Sequence, residues 1–236
     1  MRFSEPLVEG HLVRRYKRFL ADVRLCDGSV VTAHCPNSGS MKTCVGEHWP
    51  VRLSRSGNPR RKLPYTLEMV HNGDCWIGVH TGRPNHLLLE ALRAGGIPEL
   101  SGYPEARLEV PYGRNSRVDL LLADGDRRCY VEVKNTTLVD GQGAFTFPDA
   151  VTVRGRKHLL ELADQADAGH RAVVFFLIQR SDAAYFRPAH EIDPAFAHAL
   201  AAVAERGVEV LAYRAQVSPH AIELCERIPV RLAATA

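Results

Sequence analysis

The chain has 236 residues, 45% of them apolar and 24% charged. That mix belongs to a globular protein with room for one large domain or two modest ones, and it excludes a disordered chain, a collagen-like repeat and a coiled coil. Net charge is only +3, but it is unevenly spread. Residues 1–80 carry 12 Lys/Arg against 7 Asp/Glu, and residues 81–236 carry 18 against 20, so a basic first third precedes a slightly acidic remainder.

No stretch approaches eighteen apolar residues, and Met1–Pro6 holds Glu5 and Pro6 where a secretion signal needs an apolar run. The expectation is a cytoplasmic protein with no membrane contact. None of the six cysteines forms a Cys-x-x-Cys pair, so free thiols are expected. Cys35, Cys44 and His48 fit no zinc spacing.

In chain order, the runs 19–25 and 29–34 flank Asp27-Gly28, a hairpin signal. Strand-like runs follow at 49–54, 65–70 and 75–80. Five short strands with polar turns predict a small all-β barrel, for which an oligonucleotide-binding (OB) barrel is one candidate. Its cations cluster. Arg15, Lys17 and Arg18, with Tyr16 among them, precede the first strand, and Arg60, Arg61 and Lys62 crowd the turn after Ser56-Gly57-Asn58-Pro59. Such residues neutralise phosphates, and tyrosine offers a stacking face. Between strands, His34–Met41 is a tight polar loop in which Asn37 and Ser38 suit an anion, although no Walker spacing follows.

A turn at Thr81–Pro84 predicts a boundary, giving domains 1–82 and 83–236. Asn85–Ala94 reads as a helix with Asn85 as its cap and Gly95-Gly96 as its stop. Strands are expected at 107–112, 117–123 and 129–135, a helix at 153–168, a buried strand at 171–179, a helix at 194–205 and a last strand at 208–213. That order, α-β-β-β-α-β-α-β, predicts an α/β domain with a mixed sheet flanked by helices.

Asp119 lies on the second of the three strands, and Glu132 and Lys134 lie two apart on the third. A two-residue turn at Asp124-Gly125 sets Asp119 opposite Tyr130, and a shift by one sets it opposite Glu132. Either register puts Asp119, Glu132 and Lys134 on one face. Buried acids need a partner, and Mg²⁺ or Mn²⁺ would supply it, with Lys134 steadying phosphoryl charge. Arg154 and Lys157 open the next helix, where cations oppose the macrodipole, which favours phosphate contact. Asp149, just before that helix, either reaches the site or organises the turn.

Asp119 with Glu132-Val133-Lys134 resembles the PD-(D/E)xK nuclease signature, whose αβββαβ order is that of restriction-endonuclease-like folds. The resemblance implies a metal held by Asp119, Glu132 and the Val133 carbonyl, with Glu90 as a further acid. Valine rather than proline precedes Asp119. Six motifs in order resemble the sugar fermentation stimulation protein A (SfsA) family: Arg14–Phe19, His34–Met41, Arg117–Asp119, Tyr130–Asn135, Phe147–Thr152 and Arg154–Leu159. That likeness spans nearly the whole chain and implies an OB-like domain, a nuclease-like domain and association with DNA. The reading is a Mg²⁺-dependent DNA-binding nuclease. The alternatives are a non-catalytic DNA-binding regulator of sugar metabolism on the same scaffold, and an enzyme acting on a small phosphorylated or nucleotide substrate.

Overall fold

The computed structural model describes residues 1–113 and 115–232. The first part is a barrel of β1 (Val8–Tyr16), β2 (Leu20–Leu25), β3 (Val30–His34), β4 (Pro50–Arg55) and β5 (Tyr65–His71), with β6 (Trp76–Gly78) added beside β5. Strands pair in the order β3-β2-β1-β4-β5, and His34 of β3 bridges to Thr66 of β5, which closes the ring. Leu12, Val23, Ala33, Val51, Leu53, Leu67 and Val70 fill its interior.

Five strands form the barrel, but not the expected five. β1 reads in sequence as a basic run with a glycine at Gly10, which hides its alternation. Its inward positions become apparent only because Gly10 and Leu12 are buried while Glu9, His11 and Arg14 face out. The run near Trp76 is an appendage rather than a stave.

The second part opens with α1 (Pro84–Arg93). The sheet that follows has the order β15-β14-β12-β9-β8-β7, built from β7 (Glu105–Tyr112), β8 (Ser116–Asp124), β9 (Arg127–Thr136), β12 (Arg171–Ile178), β14 (Glu209–Val217) and β15 (Ile222–Arg227). β12 is parallel to both β9 and β14, as its two-sided apolar run predicts. α2 (Val153–Asp167) and α3 (Pro194–Glu205) cover one face over Val174, Phe176 and Ala212. α1 covers the other over Leu120, Val131 and Phe175.

The sequence pattern does not reveal a small sheet of β10 (Leu138–Val139), β11 (Ala144–Phe147) and β13 (Tyr185–Pro188). Strands of two to four residues carry too few alternations to register. Nor does the pattern reveal β15.

Caps differ in an informative way. Thr152 caps α2, accepting from the Gly155 N–H at 3.0 Å. Asn85 does not cap α1: Arg83 holds that position and Pro84 begins the helix, a favoured place for a residue without an N–H. Asn85 is thereby released for another use. Among the described residues, no helix is long and apolar enough to cross a membrane.

Candidate active site

β8 and β9 turn on Gly125-Asp126, with Gly125 at φ +58°, a left-handed conformation that glycine adopts without penalty. The register Asp124↔Arg127 to Leu120↔Val131 is the second of the two alternatives. Continued by one residue it brings Asp119 to Glu132. There the strands part, and Asp119 bridges the gap. Its Oδ2 accepts the Val133 N–H at 2.7 Å, and its Oδ1 accepts from Asn85 Nδ2 at 3.0 Å.

Glu132 and Lys134 are 3% and 9% exposed, so a pair this deep needs complete bonding. Lys134 Nζ donates to Glu132 Oε1 at 2.7 Å, and His158 Nδ1 from α2 meets the same oxygen. Glu132 Oε2 is buried with no partner among the described residues. One cavity of about 240 Å³ takes in Asp119, Glu132 and Lys134, with Arg117, Arg154 and His158 on its wall.

Burial, and then the negative charge of Glu132, push the Asp119 carboxyl up to about 6. Burial also opposes ionisation of Glu132, but the His158 hydrogen bond and the charge of Lys134 outweigh it, so that carboxyl stays below its usual range. Two adjacent acids thus differ in proton affinity because Glu132 is hydrogen-bonded by both Lys134 and His158, whereas Asp119 has only the neutral donors Val133 N–H and Asn85 and feels Lys134 from farther off.

Sequence reasoning missed His158 and Asn85 as site members. In the sequence His158 is visible only as part of a basic helix start. Glu90 needs correction. Its carboxylate pairs with the amino-terminal nitrogen of Met1 at 2.8 Å and lines a separate cavity with Leu87 and Ile222. On α1 it lies more than one turn beyond Asn85, the residue that reaches Asp119. Arg154 is at the site, with Nε 3.3 Å from His158 Nε2. Lys157 turns to Ser116 Oγ at 3.2 Å and to Glu161.

On the barrel, Lys17 and Arg18 form the exposed tip of the β1–β2 hairpin. Arg15 points the other way: its guanidinium donates to the Asn37 carbonyl at 2.8 Å and the Gly39 carbonyl at 3.0 Å. It props the polar loop rather than facing solvent, which corrects the expectation of phosphate contact. Tyr16 gives its hydroxyl to Asp22, and Arg14 lies over its ring, 4.7 Å from the centroid. Arg60, Arg61 and Lys62 are exposed on the β4–β5 loop, with Arg61 also reaching Thr66 Oγ1 at 2.7 Å. Asn37 is buried and commits its Nδ2 to the Val79 carbonyl at 3.1 Å, whereas Ser38 is exposed. Cys35 lies against Met41 and Cys44 against Thr137, and among the described residues no group of three or more His, Cys, Asp or Glu side chains is placed to hold a metal.

A family model described as the sugar fermentation stimulation protein RE domain matches residues 82–221, and one described as the SfsA N-terminal OB domain matches residues 13–79. The chain belongs to the sugar fermentation stimulation protein family. Homologues bearing that name are 53% identical in Geotalea uraniireducens, over 98% of this chain and 100% of the relative, and 56% identical in Pelobacter propionicus, over 96% and 98%. The solved structure of Pyrococcus furiosus SfsA in complex with Ca²⁺ superposes with a TM-score of 0.87 at 25% identity, covering 98% of both chains.

In this SfsA-family chain the two matched regions are tied by buried polar contacts. Arg180 is 1% exposed. It pairs with Asp182 at 2.5 Å and donates to the Thr137 carbonyl at 2.6 Å and to Thr43 Oγ1 of the barrel at 2.9 Å. Asp149 accepts the Ser40 N–H at 2.6 Å, and a side chain on Gly39 would collide with that carboxylate. Asp149 therefore organises the junction instead of joining the acid pair. Behind Lys134 this junction forms a further, partly open cavity of about 220 Å³.

Proposed function

We infer that this chain hydrolyses phosphodiester bonds in a nucleic acid, with DNA as the favoured polymer, using Mg²⁺ or Mn²⁺. The observation that carries the reading is the acid pair: two carboxylates side by side, Asp119 half-buried and Glu132 buried, the latter with an oxygen, Oε2, that has no partner among the described residues. A divalent ion fits this donor set. Mg²⁺ takes one or two carboxylates and keeps several waters, so a site with two acids suits it better than zinc. Asp119 and Glu132 would hold it, with the Val133 carbonyl as the backbone ligand. The solved relative was captured with Ca²⁺, another oxygen-seeking cation.

When bound, the ion supplies Lewis-acid polarisation of the phosphoryl group and an activated water. The chain's own groups do the rest. Lys134, fixed by Glu132, presents positive charge to the developing phosphoryl charge. Arg117 and Arg154 neutralise flanking phosphates at the cavity wall. His158 holds Glu132 in place. On the barrel, Lys17 and Arg18 attract the polymer. Phe19, 46% exposed and stacked near His34 at 6.4 Å, offers the base-stacking face that Tyr16 does not.

The test is cleavage of single-stranded, duplex and branched DNA, and of RNA, in Mg²⁺ and in Mn²⁺. The wild type should cut at least one of them. Glu132→Gln should lower the rate by about 10²-fold or more, the scale of one lost electrostatic partner, with its circular dichroism unchanged. No turnover on any substrate with either metal overturns the reading. Metal-independent binding without cleavage would assign the chain to the non-catalytic alternative.

A further inference from the structure

The cavity behind Lys134 has no role in the chemistry above. It is walled by both domains: Asn37, Ser38 and Thr81 from the barrel side, and Asn135, Thr146 and Phe147 from the other. It shares Val133 and Lys134 with the acid cavity. Because Val133 and Lys134 line both, the two spaces are neighbours at this point of β9.

Its charge argues about its contents. Lys134 is held by Glu132 at the acid cavity, where its charge serves the phosphoryl group, and the remaining charge on this wall is the Asp149 carboxylate. A phosphate would be repelled, whereas a neutral polar group would not. The wall offers such a group partners. The Thr146 hydroxyl is 1% exposed and has no hydrogen-bond partner among the described residues. Asn135 accepts from Gln179 Nε2 at 2.6 Å through its side-chain oxygen, which leaves its amide as a donor. Phe147 and Leu138 supply apolar surface. At about 220 Å³ the space is smaller than the roughly 300–1,000 Å³ of drug-sized ligand sites, so it takes one planar heterocycle and not a base pair.

We propose that this interdomain cavity receives one unpaired base, that of the nucleotide next to the phosphate that would face the ion held by Asp119 and Glu132. The inference rests on the nuclease reading and narrows its substrate to nucleic acid with an unpaired or extrudable nucleotide. Hydrogen-bonding edges beside an apolar wall are how an extruded base is held. Because both domains build the pocket, docking of the barrel decides which substrates reach the acids.

The test is binding in EDTA, so that hydrolysis plays no part. One DNA duplex carries a single bulged 2-aminopurine, and its control is fully paired. The bulged duplex should bind about tenfold tighter, the scale of one stacked base, with a change in 2-aminopurine fluorescence. Ser38→Phe, which fills the cavity from its exposed rim, should abolish the preference. If that variant does not fold, Thr146→Val carries the test and should weaken the preference by removing the hydroxyl. Equal affinity for the two duplexes, or a preference unchanged in a folded variant, overturns the proposal. A preference that persists where no cleavage is found would sink the nuclease reading and keep the pocket. Cleavage with no preference would do the reverse.

Discussion

The barrel carries Lys17, Arg18, Arg60 and Lys62 on loop tips in solvent, whereas the C-terminal domain carries Glu132, Lys134 and Arg180 almost wholly out of water. A charge in solvent contributes little to stability and remains available to a partner. A charge out of water is tolerated only with its bonds made, so removing either member of a pair is costly. These two sets of charges therefore serve different ends: the loop-tip cations stay solvated, whereas Glu132, Lys134 and Arg180 fix geometry. Arg15 marks the boundary between the two uses: it stands in the basic run, yet its guanidinium is committed to the carbonyls of the 37–39 loop.

Arg180 tests the contrast hardest. Arg180→Ala takes from Asp182 its charged partner, leaving it Asn72, and from the Thr137 carbonyl its shortest hydrogen bond at the domain junction. It should cost about 3–5 kcal/mol in denaturant unfolding, the usual penalty for breaking a buried pair. A loss no larger than that of a surface substitution would erase the distinction between the two regions.

Asp119 gives a smaller, pH-dependent effect. Its folded carboxyl titrates near 6 against an ordinary 3.8, so the metal-free fold binds this proton more tightly than the unfolded chain does. The stability that follows is complete below about pH 4 and is lost as pH rises through 6. In EDTA, the stability of wild type minus that of Asp119→Asn should therefore fall by about 2 kcal/mol between pH 4 and pH 7. Excess Mg²⁺ should counter that fall, because the ionised carboxylate is the form that binds metal. A flat difference across this range would mean that Asp119 is solvated like a surface acid.

The loop-tip cations give the smallest change in stability. Lys17→Ala and Arg18→Ala should each shift unfolding by no more than about 0.5 kcal/mol. Each should also reduce the slope of log affinity against log salt by about 1 for every phosphate no longer neutralised. Arg15→Ala should behave oppositely, destabilising the protein by about 1–3 kcal/mol through the carbonyls it releases. A barrel whose Lys17 and Arg18 variants keep the full salt slope does not use that hairpin on nucleic acid.

Much of this architecture is legible in the sequence where pattern repeats over enough residues. The apolar run of β12, the periodicity of α3 and the alternation of β2 and β3 each place an element within a residue or two. The short β10, β11 and β13 lack such length, and β1 hides its inward face behind Gly10 and a run of arginines. At the site, the spacing of Glu132 and Lys134 suffices, because two residues apart on any strand share a face. Asn85 and His158 cannot be found that way, since their partners lie 34 and 26 residues distant in sequence.

By itself, the sequence determined the two-part organisation, the strand that bears Glu132 and Lys134, and the basic character of the barrel, because local periodicity and residue chemistry are properties of short segments. Tertiary structure alone decided the register that sets Asp119 beside Glu132, the choice of Asn85 over Glu90, the inward turn of Arg15 and the junction built by Arg180 and Asp149. Those outcomes depend on which distant groups share a low-dielectric space, and spacing along the chain does not encode that.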